Sequence, residues 1–137
     1  MKHVLVAEDS DDDFTLLRIA FEKVKLPHAL HHVINGEETI QYLAGKAPYS
    51  DRAAHPFPHL LLLDIRMPLI SGFEVLDFLR AHPDIKVPVV LMFSGSIIPE
   101  DAKKAVDLGA TAYVSKPTDF DVYLTLARDI DRQWLAA

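Results

Sequence analysis

The chain has 137 residues, enough for one domain with a single core, and its make-up of half apolar and a quarter charged residues is an ordinary globular balance. The net charge is −6, from 20 acidic and 14 basic side chains, and no run of Lys or Arg forms a basic stripe, which argues against nucleic-acid binding. Cysteine is absent, which excludes disulfides, thiolate metal sites and cysteine nucleophiles and fits a reducing compartment.

Met1-Lys2-His3 runs directly into a short apolar segment without the pattern of a signal peptide. No apolar run approaches the roughly 20 residues that span a bilayer, so the expected location is cytoplasmic. Val4-Leu5-Val6-Ala7 reads as a buried strand ending in Glu8-Asp9. Ser10 to Asp13 can cap a helix, which Phe14, Leu17, Phe21 and Val24 continue at helical spacing until Pro27 closes it. A second strand is predicted over Ala29 to Ile34, with Asn35-Gly36 as its turn, and Ile40, Leu43 and Ala44 mark a short helix.

Gly45, Pro48, Pro56 and Pro58 break up residues 45 to 59, which read as a surface loop. Leu60 to Leu63, ending in Asp64, is the clearest buried strand. Phe73, Leu76 and Leu79 form the next helix, and Pro83 ends it. Val87 to Phe93 is a strand running into Ser94-Gly95-Ser96; Ala102, Ala105 and Val106 mark a helix stopped by Gly109. Thr111 to Val114 is a short strand before Ser115-Lys116-Pro117, and Phe120, Tyr123, Ala127, Ile130 and Trp134 trace a last helix.

Strand and helix thus alternate five times. Continuous apolar strands between amphipathic helices predict an α/β, doubly wound parallel sheet covered on both faces, in one domain over residues 1–137. Ligands of such sheets bind outside the carboxyl ends of the strands, so the strand ends carry the chemistry. They carry Glu8 and Asp9, then Asp64, then Ser94, then Lys116. Each has an ordinary alternative: the acids before a helix can serve its cap and dipole, Asp64 a turn, Ser94 a cap, and Lys116 solvent. Together they describe something else. Three close acids repel unless a cation is bound, and an all-oxygen set with few carboxylates suits magnesium. Such a site is prepared for a phosphoryl group: Asp64 attacks, Lys116 and the metal stabilise the transferring oxygens, and Ser94 bonds the product.

These residues, in this order, resemble the CheY-like receiver domains of bacterial response regulators over essentially the whole chain. The anchors are Glu8-Asp9, Asp64-Ile65-Arg66-Met67-Pro68 with Gly72, Ser94, and Lys116-Pro117. The resemblance implies a flavodoxin-like (βα)5 fold with strand order 2-1-3-4-5, and Asp64 as the acceptor of a phosphoryl group from a histidine kinase. It implies Mg2+ held by Glu8, Asp9, Asp64 and the backbone carbonyl of Arg66, with Ser94 and Lys116 on the phosphoryl oxygens. It further implies Ser94 and Tyr113 as the switch pair, a cis peptide bond at Lys116-Pro117, and signalling through the fourth helix, fifth strand and last helix. No independent substrate turnover is expected.

Within that family the chain is similar to the phytochrome response regulator branch, through the long loop before Asp64, the Ser94-x-Ser96 pattern and Trp134. That suggests a bacteriophytochrome-type kinase as partner. The chain ends after the last helix, so no output domain is expected. Trp134 and Leu135, read as exposed near its end, suggest a homodimer or docking through the same face. Two alternatives remain open: a phosphorylation-independent pseudo-receiver, and a haloacid-dehalogenase-like phosphatase. The latter needs a second Asp two residues after the nucleophile, where this chain has Arg66. His28, His31 and His32 invite a zinc site, with solvated side chains as the ordinary reading.

Overall fold

The computed structural model describes residues 1–95 and 98–136. Five strands, β1 (His3–Ala7), β2 (Ala29–Val33), β3 (Leu60–Leu63), β4 (Val89–Ser94) and β5 (Ala112–Ser115), alternate with five helices, α1 (Asp11–Lys23), α2 (Gly36–Ala44), α3 (Gly72–Ala81), α4 (Pro99–Asp107) and α5 (Phe120–Ile130). All strands are parallel and lie in the order β2-β1-β3-β4-β5. The predicted α/β doubly wound sheet and its strand order are therefore observed.

Helices cover both faces of the sheet, which is why Leu60 to Leu63 can be apolar at every position and wholly buried. On one face Leu5, Ala7, Leu61, Leu63 and Met92 pack against Tyr42, Leu43, Val75, Leu76 and Ala105 from α2, α3 and α4. On the other, Val4, Val6, Leu60, Leu62, Leu91 and Phe93 pack against Leu17, Ala20, Phe21, Tyr123, Ala127 and Ile130 from α1 and α5. None of the described helices is long and apolar enough to cross a membrane.

Local chemistry sets the helix starts. Ser10 Oγ accepts from the Asp13 N–H at 3.2 Å, and three acids fill the first turn of α1. Ser71 and Glu74 form a reciprocal capping box at α3. Asn35-Gly36 is not a free turn. Asn35 caps α2 by accepting from the Glu38 N–H at 2.8 Å, and Gly36 is the first residue of that helix.

The 45–59 segment is a loop as predicted, and it is anchored. Arg52 donates to the carbonyls of Tyr42, Leu43 and His55, which satisfies the open C-terminal end of α2. After α5 the chain continues through a wide π turn, Asp131–Leu135. This corrects the expectation of an exposed terminal pair. Leu135 is buried against the α1–α5 core and Trp134 is half-buried on it, because a His28–Asp131 contact of 2.7 Å draws the turn onto the sheet.

Candidate functional site

The chain leaves β1 for β2 on one side and returns to β3 on the other, so strand order reverses between β1 and β3. Ala7 and Leu63 are register partners at this point. The residues after them, Glu8-Asp9 and Asp64, therefore come out side by side. Backbone bonds fix the exit: the Asp64 N–H donates to the Ala7 carbonyl and the Glu8 N–H to the Val33 carbonyl, both at 3.0 Å. Ser94 ends β4 and is buried. Its carbonyl accepts from the Lys116 N–H at 2.9 Å, which aligns the end of β5.

Lys116 then reaches back across the strand ends. Its Nζ lies 3.0 Å from Asp64 Oδ2, 2.9 Å from Asp13 Oδ2 and 2.7 Å from Glu8 Oε1. The other Asp64 oxygen, Oδ1, accepts from the Arg66 N–H at 3.2 Å. Burial works to lower the pKa of Lys116, but the Glu8, Asp13 and Asp64 carboxylates outweigh it and hold the ammonium above its ordinary value. Glu8 moves the other way. Burial pushes it up to about 8, against the pull of Lys116 and with a further push from Asp64.

Glu8 Oε1 stands at ion-pair distance from Lys116, yet the hydrogen bonds of that ammonium go to Asp13 and Asp64. Oε1 is left buried without a hydrogen bond among the described residues. Oxygens of Glu8, Asp9 and Asp64 all lie within 4.8 Å of one another. An all-oxygen set that includes a buried carboxylate oxygen without a hydrogen bond fits a hard divalent cation, which Oε1 would help to hold. Asp9 is exposed and lines an open cleft of about 680 Å³ with Arg66, Met67, Pro68 and Ser71. An apolar cleft of about 400 Å³ between Leu76 and Leu108 lies at the other end of the strands, away from these acids.

One expectation meets a different geometry. The Lys116-Pro117 bond is not cis; among the described residues the cis bond is Ala47-Pro48. The two forms of an X–Pro bond differ by only about 0.5–1 kcal/mol, so the motif alone does not choose between them. The Arg66 guanidinium pairs with Asp101 of α4 at 3.2 Å. The histidines in and before β2 also diverge, so no zinc site gathers them. His28 meets Asp131, His31 meets His3 at 3.1 Å, and His32 lies 2.7 Å from the Glu8 carbonyl with its ring stacked on Phe14. Tyr113 is half-buried in β5 against the core on the α2–α4 side. Ser96 lies outside the described residues.

Two site residues carry roles that the sequence reading does not assign them. Asp13 is read in the sequence only as part of the acidic cap and first turn of α1. His32, read in the sequence as a zinc candidate or a solvated side chain, supports the Glu8 carbonyl instead.

A response regulator from red light signalling in R. palustris, RPA3017, superposes with a TM-score of 0.92 at 32% identity, covering 98% of this chain and 94% of that one. The phosphorylated cyanobacterial phytochrome response regulator RcpA gives 0.88 at 28% identity, again over 98% and 94%. Response regulator Rcp1 of Synechocystis sp. is 26% identical over 98% of this chain and 89% of its own length. Residues 4–128 match the response regulator receiver domain model, and the chain belongs to that family.

Proposed function

We propose that Asp64 accepts a phosphoryl group from the phosphohistidine of a histidine kinase in a magnesium-dependent reaction, with residues 1–137 acting as one receiver domain. The observation that supports this is Lys116 Nζ at 3.0 Å from Asp64 Oδ2, beside the orphaned Glu8 Oε1. An Asp64 oxygen attacks phosphorus; the new O–P bond forms as the N–P bond to the kinase histidine breaks, and that nitrogen keeps the electron pair. Magnesium, held by Glu8, Asp9, Asp64 and the Arg66 carbonyl, supplies positive charge to the phosphoryl oxygens when bound. Lys116 and Ser94 bond those oxygens, and Tyr113 responds to the inward movement of Ser94. The protein assists its own phosphorylation and dephosphorylation and turns over no separate substrate.

The output is the surface of α4, β5 and α5, used for self-association or for docking another protein in the cytoplasm. A phytochrome-type kinase is the proposed donor, since RPA3017 and RcpA are named for red light and phytochrome signalling. Intact-mass spectrometry after treatment with acetyl phosphate and Mg2+ tests the central claim. One phosphate is expected on the wild type and none on Asp64→Asn. Equal labelling of both would overturn the assignment, and no labelling by any donor would favour the pseudo-receiver.

A further inference from the structure

Lys116 is held by more carboxylates than phosphoryl transfer to Asp64 requires. Asp64 and Glu8 both have tasks in the proposed reaction. The third contact, 2.9 Å to Asp13 Oδ2, comes from the first turn of α1. Capping does not account for it, because Asp13 serves the Ser10 cap with its backbone N–H and not its carboxylate. The helix dipole does not account for it either. Asp11 and Asp12 already supply negative charge to the same turn, and both are exposed.

We propose that Asp13 is a positioning residue: an internal competitor that holds Lys116 in the unphosphorylated protein and gives it up when a phosphoryl group arrives on Asp64. The inference rests on the phosphoryl-acceptor reading above. An ammonium has three N–H donors, and three carboxylates surround this one. A phosphoryl group adds about −1.5 to −2 charges and strong acceptor oxygens, which draw the ammonium away from the carboxylates that now hold it. The contact that yields is the one with another partner to hand. Glu8, with a side chain only 1% exposed, has no water to turn to. The Asp13 side chain is 31% exposed and can exchange Lys116 for solvent at little cost. Asp13 therefore sets how readily the pocket accepts the phosphoryl group, and its release is felt by α1.

Beryllofluoride, a phosphoryl stand-in, provides the test when titrated with Mg2+ and followed by NMR. Asp13→Asn is expected to bind it roughly three- to tenfold tighter than wild type. Asp12→Asn, which removes the same charge from the same turn without touching Lys116, stays within about twofold. The Asp13 gain persists in about 0.5 M NaCl, where exposed charges a Debye length apart are screened. Asp13→Ala provides the same readout if the Asn variant folds poorly. An equal gain in Asp12→Asn, or a gain that vanishes in salt, reduces Asp13 to general charge and overturns the proposal. Wild-type binding with no change in Asp13→Asn overturns this inference alone, whereas no wild-type binding at Asp64 overturns the receiver reading with it.

Discussion

His28 Nε2 and Asp131 Oδ1 lie 2.7 Å apart across 103 positions of sequence, and this contact fastens the C-terminal turn to the start of β2. The Lys2 N–H donates to His28 Nδ1 at 3.2 Å, so Nε2 carries the hydrogen and donates to Asp131. The His28 side chain is 6% exposed. His28→Ala leaves the Asp131 carboxylate without this partner and removes a buried side chain. A loss of about 2–3 kcal/mol in urea melts is expected, and Asp131→Ala in the His28→Ala background adds little. Additive losses would show that the two residues act separately.

Magnesium should stabilise the unphosphorylated protein. An ion that binds only the folded state relieves the crowding of Glu8, Asp9 and Asp64 and raises stability with its concentration, by about 2.7 kcal/mol at 100 times Kd. Thermal melts in rising Mg2+ should climb for wild type and stay nearly flat for Asp9→Asn. A wild-type melt indifferent to millimolar Mg2+ would count against the ion site.

Acid should weaken the fold through His31. Burial, with the charges of His3 and His55, holds this ring below its ordinary value of 6.5. The unfolded chain then binds a proton that the native state refuses. The stability associated with neutral His31 is fully present above about pH 6.5 and is lost as pH falls through the lower, folded value. Urea melts across that window should fall more steeply for wild type than for His31→Gln. Parallel pH profiles would remove His31 as the cause.

Gly72 should tolerate no side chain. A Cβ there would lie 2.3 Å from the Asp64 carbonyl oxygen and 2.9 Å from the Ile65 Cα, both backbone atoms with no room to give. Gly72→Ala is expected to cost about 1–3 kcal/mol and to weaken Mg2+ binding as well, since relief requires Asp64 to shift. Loss of stability with an unchanged Mg2+ response would separate the packing from the site.

How far the sequence carries depends on whether a feature is local. The apolar run Leu60 to Leu63 and its terminal Asp64 are legible because a strand buried on both faces needs apolar residues at every position. Strand ends then nominate Glu8, Asp9, Ser94 and Lys116 together. What stayed hidden depends on contacts between distant positions. Lys116 meets Asp13 across 103 residues, and His32 meets Glu8 from a neighbouring strand. Leu135 looks exposed at the end of a helical pattern until a wide turn and His28 fold it inward. The destination of Arg66 was equally hidden, because a long flexible side chain goes to whichever acid the tertiary fold offers.

The α4–β5–α5 face should associate after phosphorylation. Its apolar exposure does not come from the C-terminal turn, since Leu135 is buried and Trp134 half-covered. Val106 of α4 and Val122 of α5 are 54% and 47% exposed instead, on the helices that flank β5. That strand ends the sheet and presents an unpaired edge. Two helices and an edge strand form a patch that can meet its own copy about a two-fold axis, the commonest soluble assembly. Light scattering should detect a dimer that strengthens with beryllofluoride and Mg2+. Val106→Glu and Val122→Glu should each weaken it by roughly tenfold or more, because a charge placed in an apolar contact must be desolvated without a partner. Trp134→Ala should lower stability and leave the association constant nearly unchanged. Monomers in both states would rule out self-association and leave docking of another protein as the use of this face.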